Sequence, residues 1–222
     1  MSNKKLLIVT GPQGSGNHLF SRLFSKHPDV AGWEELLDKY WVPSDEEPFA
    51  RYWVEPELLT PDVFESHDYH MANVSCPFFY DGQRYTPKIA EVARRAESFG
   101  VEVVIGIVVR DKNINEMQQQ RVRKQHTTPI AQDYYYNHLL NNTDLNVNFI
   151  DHEAFFLHTT HYLKWIGKVL DFPVAHDHPE IMKFIDKDAN HKYIKYIEDY
   201  WLDEQVYAGL KPNLSQRKSS DN

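Results

Sequence analysis

The stretch from Leu6 to Phe24 leaves this chain few folds to choose from. Four consecutive apolar residues, Leu6-Leu7-Ile8-Val9, run into Thr10-Gly11-Pro12-Gln13-Gly14-Ser15-Gly16-Asn17-His18. Leu19-Phe20-Ser21-Arg22-Leu23-Phe24 follows, with apolar residues at helical spacing. A short apolar run closed by glycines predicts a buried strand, and the 3.6-residue period after it predicts a helix. The loop between them favours an anion. Glycines let successive backbone N–H groups turn toward one point, and the start of a helix adds partial positive charge. The same residues also fit a strand–turn–helix corner that binds nothing.

Further elements continue the alternation. Residues 33–40 predict a short helix. Residues 41–61 carry Pro43, Pro48, Pro56 and Pro61 among Trp41, Phe49, Tyr52 and Trp53, which predicts ordered loops packed by aromatics, a wall or lid of a site or plain surface cover. Residues 62–66 read as a short strand ending in Ser66-His67. Residues 87–99 predict a helix opened by Pro87 and stopped by Gly100. The apolar run 101–109 predicts a central parallel strand covered on both faces. It ends in Arg110-Asp111 and leads into a helix over 113–121. Helices are expected over 130–140, 152–170, 179–185 and 192–206, with a strand over 146–150. Strand–helix alternation predicts a three-layer α/β/α fold with a mainly parallel central sheet. One domain over 1–210 and a disordered tail over 211–222 complete the expected organisation.

Composition removes several function classes. A net charge of −8 argues against general nucleic-acid binding, which needs a broad basic surface. Cys76 is the one cysteine, so no internal disulfide forms, which fits a reducing, cytoplasmic setting. No apolar stretch is long enough for a membrane span. The pairs His67/His70, His158/His161 and His176/His178 have ligand-like spacing, but with twelve histidines such pairs arise by chance, and no metal is expected. Arg121, Arg123 and Lys124 form a local basic strip that either frames a ligand or is a solvated helix face.

Gly11 and Gly16 have the spacing of a phosphate-binding loop, but the nucleoside-triphosphatase form needs Lys and then Ser or Thr where this chain has Asn17 and His18. The loop instead resembles the 5′-phosphosulfate loop of sulfotransferases, Gly-x-Pro-Arg-Ser-Gly-Thr-Thr-Leu, at Ser15, Gly16 and Leu19. Gly14 replaces the basic residue there. His27-Pro28-Asp29-Val30, Arg110 after the apolar strand with Gln118 eight residues on, and the blocks 149–153 and 169–173 resemble further habits of that family. The resemblance covers roughly residues 5–175. It implies a P-loop nucleoside-triphosphatase-like fold that carries a sulfuryl group from 3′-phosphoadenosine 5′-phosphosulfate to a hydroxyl or amine of a small-molecule or glycan acceptor, leaving 3′,5′-adenosine bisphosphate. Gly14, Ser15, Gly16, Asn17, His18 and Leu19 would then hold the 5′ side, and Arg110 and Gln118 the 3′-phosphate. His67, and after it His70, would be the general base. Glu153 reads as a structural carboxylate at a helix start, and His191, Lys192 and Lys195 as late basic contacts to the nucleotide. A P-loop small-molecule kinase, with Asp111 or Asp151 positioning magnesium, and a non-catalytic nucleotide-binding module are the alternatives.

Overall fold

The computed structural model describes residues 4–39 and 41–185 together with Ala189, Asn190 and Tyr193. Its centre is β1 (Lys5–Pro12), the apolar run that opens the chain. β1 pairs in parallel with β3 (Tyr69–Cys76) on one side and β6 (Glu102–Val109) on the other. The short β2 (Val30–Ala31) and β7 (Val147–Asp151) complete a five-stranded, all-parallel sheet of order β2-β3-β1-β6-β7. β4 (Phe78–Tyr80) and β5 (Gln83–Tyr85) form a separate antiparallel hairpin.

Side chains of β1 alternate between two cores, as the period of a strand requires. Leu6 and Ile8 pack with Ile89, Val92 and Ala93 of α3 (Ile89–Glu97) and with Ala131 and Tyr135 of α5 (Thr128–Tyr135). Leu7 and Val9 pack with Phe20, Leu23 and Phe24 of α1 (Asn17–Ser25) and with Phe155, Leu163 and Ile166 of α6 (His152–Val169). Both faces of the sheet are therefore covered by helices, which gives three α/β/α layers. α7 (Ile181–Ile185) adds Ile181 to the second core, whereas α2 (Glu35–Asp38) and α4 (Lys112–Arg123) contribute to neither. Among the described residues no helix is long and apolar enough to cross a membrane.

Several elements differ from expectation. Residues 62–66 do not form a strand; Pro61–Phe64 is a 3-10 turn. The strand follows it, as β3, and its eight residues include the buried polar His70 and Asn73, which break the apolar run that marks a central strand. The helix expected over 130–140 is α5 followed by one π turn, Tyr136–Leu140. α6 is interrupted at Thr159, where φ is 54° and ψ is −126°. The helix expected over 192–206, apart from Tyr193, the tail over 211–222, and His191, Lys192 and Lys195 lie outside the described residues.

The proline-rich region is ordered by one buried carboxylate. Glu47 accepts hydrogen bonds from the backbone N–H of Phe49 (2.8 Å) and from Trp53 Nε1 (3.2 Å), and its other oxygen lies 3.4 Å from the Asn73 N–H. Phe49, Tyr52, Trp53 and Phe64 pack around it as part of the core. Glu47 thereby ties the 41–53 segment to the middle of β3.

Candidate functional site

The strands end together at one edge of the sheet, and the glycine loop leaves β1 there. A crevice outside the carboxyl ends of parallel strands is the usual ligand site of such a sheet. Here it is a cleft of about 990 Å³, lined among others by Gly14, Gly16, His18, Arg22, Arg110 and Arg123.

The loop is wired from inside. Gly14 and Gly16 have φ of 86° and 109°, values that only glycine adopts without strain. Gly16 also lies so close to the ring of His152 that a Cβ would meet Cδ2 at 2.7 Å. The carbonyl of Gly11 accepts from Asn17 Nδ2 (3.3 Å), that of Pro12 from Ser15 N–H (3.0 Å), and that of Gly16 from Phe20 N–H (3.2 Å). The carbonyl of Gln13 accepts from Gln119 Nε2 (2.6 Å) and that of Gly14 from Arg110 Nη1 (2.7 Å). The backbone N–H groups of Gly14, Gly16, Asn17 and His18 meet no acceptor among the described residues. α1 therefore starts uncapped, with carbonyls bound inward and N–H groups left for a ligand.

The side chains of Ser15 and Asn17 turn into the protein. Both are buried. Ser15 Oγ donates to Asn17 Oδ1 at 2.6 Å, and Asn17 Nδ2 reaches Ser75 Oγ (3.1 Å) and the carbonyls of Gly11 (3.3 Å) and Val74 (3.4 Å). Their side chains staple the loop to β1 and β3, so a ligand would meet their backbone. His18 and Leu19 sit on the cleft wall, His18 edge-on to Trp33 with ring centres 5.6 Å apart. Burial, then the charges of Arg123 and Arg22, push the His18 imidazole down to about 4. It is neutral at physiological pH.

Arg110 and Gln118 are brought together as expected. Arg110 Nη1 donates to Gln118 Oε1 as well as to Gly14 O, and Nε and Nη2 donate to Asn190 Oδ1 at 3.0 and 2.5 Å. Asn190 Nδ2 in turn donates to Glu153 (3.0 Å), whose second oxygen accepts the Asp111 N–H (3.2 Å). Glu153 thus occupies the first turn of α6 and holds the Arg110 strand end from behind. Asp111 and Asp151 cap α4 and α6, accepting from the N–H of Ile114 (3.0 Å) and Ala154 (2.8 Å). Those carboxylates serve helix starts.

His67 and His70 belong to the other end of the sheet. The register pairs Lys5 with Tyr69 and Pro12 with Cys76, so His67 precedes the amino end of β3 while the loop stands at the carboxyl end. At about 3.3 Å per residue, eight residues of strand put roughly 25 Å between them. The assignment of His67, with His70 as alternate, to base chemistry at this cleft is therefore corrected. The carboxyl end of β3 carries Ser75-Cys76-Pro77, and burial pushes the Cys76 thiol up to about 12, too high for a base or thiolate.

Several supporting residues gave no local signal in sequence. Gln119 is fully buried on α4; its Oε1 accepts from the N–H of Thr127 (2.8 Å) and Thr128 (3.2 Å) while its amide holds Gln13. Thr127 Oγ1 donates to Gln13 Oε1 at 3.2 Å. Arg22 and Arg123 join the cleft from α1 and from the last turn of α4. Arg121 leaves the basic strip to stack on Tyr193 with its guanidinium 5.3 Å from the ring centre. Among the described residues no three His, Cys, Asp or Glu side chains gather where a metal would sit. No protein-family model matches the chain, and no curated protein matches it at a significant level of sequence similarity.

Proposed function

We propose that this protein binds 3′-phosphoadenosine 5′-phosphosulfate in the cleft and is a sulfotransferase-like protein. The observation that carries this reading is the polarity of the loop. Five carbonyls, from Gly11, Pro12, Gln13, Gly14 and Gly16, are bound inward, while four N–H groups at the start of α1 are left without protein acceptors among the described residues. Fixed dipoles of this kind stabilise an oxyanion without reorganising. Arg110 and Gln118 stand against the same loop, so two anionic groups of one nucleotide have partners in one cleft. Neither loop nor Arg110 requires a metal for this, since the positive charge is the protein's own.

Transfer from the phosphosulfate to a hydroxyl or amine requires a proton acceptor on the cleft. His18 is a neutral imidazole there, but one held low by burial and by two guanidinium groups, and a low pKa makes it a weak base. A non-catalytic nucleotide-binding module is the second reading. It is favoured by Gly14 standing where the resembled loop has its basic residue, and by His67 lying at the opposite end of the sheet.

Calorimetric titration with 3′,5′-adenosine bisphosphate, beside ADP with magnesium, tests the proposal. The expected result is metal-independent bisphosphate binding that weakens at least tenfold in Arg110→Ala. Magnesium-dependent ADP binding in its place would move the reading to a kinase.

A further inference from the structure

His18 and Arg22 lie four residues apart on α1 and so share a face of the helix. Arg22 is anchored there. Its Nη2 donates to the Leu37 carbonyl at 2.9 Å, and its guanidinium lies over the Phe184 ring, 4.9 Å from the centre. Its Nε is buried and has no hydrogen-bond partner among the described residues. Arg123 ends α4, is half-buried on the same cleft, and makes no hydrogen bond or ion pair with any described residue. The two guanidinium groups are close enough to His18 to act on its imidazole.

This arrangement is costly by itself. Burial disfavours the charged form of the Arg123 guanidinium, and guanidinium donors left unsatisfied forfeit their hydration. The chain has 32 acidic residues, yet among the described residues none forms an ion pair with either arginine. The carboxylates on the cleft are Asp38 and Asp45, both exposed, and Glu180, which is engaged by Lys26 and by Lys183 at 3.6 Å. An oxyanion in this cleft reached by both arginines would offset the desolvation and satisfy the donors together.

The position is separate from the centre at Arg110. Gln118, which touches Arg110, and Arg123 are five residues apart on α4, about 8 Å along the helix axis. Arg110 is turned to Gly14 and Asn190 and is not among the charges acting on His18.

We propose that Arg22 and Arg123, together with His18, form a second oxyanion-binding centre in the cleft, which takes a sulfate, phosphate or carboxylate group of the molecule that meets the nucleotide there. The oxyanion centre itself stands on the geometry above; its pairing with a nucleotide rests on the proposed function. The acceptor would then be an anionic alcohol or amine, not a neutral one.

The test follows the His18 imidazole by proton–nitrogen NMR, its resonance identified by its loss in His18→Gln. Inorganic sulfate, inorganic phosphate and acetate are titrated separately, each against sodium chloride at matched ionic strength. The expected result is a saturable upward shift of the His18 titration with at least one of the three, the strongest naming the group. Arg22→Gln and Arg123→Gln should weaken that binding at least tenfold, Arg22→Lys less, and Arg110→Gln should retain it. Affinity of Arg123→Gln for 3′,5′-adenosine bisphosphate should stay within about threefold of wild type. A His18 that responds to none of the anions beyond the chloride control overturns the proposal. So does an equal loss of bisphosphate binding in Arg123→Gln and Arg110→Gln, which would put both arginines on one ligand. If the anion response follows the arginines while no bisphosphate binds, the nucleotide reading fails and the oxyanion centre stands.

Discussion

Replacing Glu47 by glutamine tests how the wall of the cleft is held. Trp41, Pro43, Ser44 and Asp45 line the cleft, and Glu47 anchors their segment to β3 through its bonds to Phe49, Trp53 and Asn73. Complete burial pushes its carboxyl up to about 8 from an ordinary 4.5; the three N–H donors pull the other way and lose. The neutral acid is the form that this burial favours. Between pH 4.5 and about 8 the folded protein keeps a proton that the unfolded chain has released. Stability from this group is complete below pH 4.5 and is lost as pH rises through about 8. At about 1.4 kcal/mol per pH unit, the loss across the window is roughly 4–5 kcal/mol. The glutamine side chain in Glu47→Gln has the same shape, accepts the Phe49 and Trp53 bonds through its one oxygen, gives up the long Asn73 contact, and does not titrate. Urea unfolding followed by tryptophan fluorescence, at steps from pH 4.5 to 9, should show Glu47→Gln gaining on wild type by that amount as pH rises. Curves that stay parallel, or wild type gaining on the variant, would mean that Glu47 is ionised in the folded state and would refute the argument.

Other substitutions separate the site from its scaffold. His67→Ala should leave bisphosphate affinity and any sulfuryl transfer within about twofold of wild type, because His67 sits at the far end of β3; radiolabelled transfer from the phosphosulfate checks this. Gln119→Leu strips partners from Gln13 O and from the N–H groups of Thr127 and Thr128, each costing about 1–3 kcal/mol when left buried and unpaired. Thermal unfolding should show the destabilisation, and calorimetry a weaker bisphosphate site. His70 is held down to about 4, by burial first and then by Lys4 and His67, so its contribution to stability is present above pH 6.5 and lost as pH falls toward about 4. Wild type should lose stability relative to His70→Phe across that acid range in the same urea assay.

The central strands and the loop are legible in the sequence because their signals are local. Leu6-Leu7-Ile8-Val9 and Val101–Val109 are apolar runs that a doubly covered sheet needs, and glycine spacing marks the corner between β1 and α1. β3 is not legible because His70 and Asn73 occupy buried positions where the pattern calls for aliphatics, and their environments come from distant residues: Phe64 edge-on to His70, and Glu47 beside Asn73. Misplacing that strand by a few residues moves His67 from one edge of the sheet to the other, which is why the base assignment fails while Arg110 and Gln118 come together as expected. Arg110 is placed correctly because it directly follows β6, a strand whose apolar run is unambiguous.

The loop shows why a glycine pattern alone underdetermines a site. Glycines permit a cradle; they do not choose which way the peptide groups face. Here the choice is made by side chains outside the glycine pattern: Arg110 on the carbonyl of Gly14, Gln119 on that of Gln13, and Asn17 on that of Gly11. Each turns a carbonyl into the protein, and α1 then begins with its N–H groups unspent. Asn17, where the nucleotide-triphosphatase loop has Lys, spends its amide on this inward wiring instead of reaching for a phosphate. The positive charge that such a lysine would contribute is moved to Arg110, Arg22 and Arg123, which come from three separate elements around the cleft. Charge delivered from separate elements can recognise anionic groups that are well apart, whereas a single loop lysine bridges adjoining phosphates. That distribution fits a cleft built to hold two anionic groups at a distance rather than one triphosphate in line.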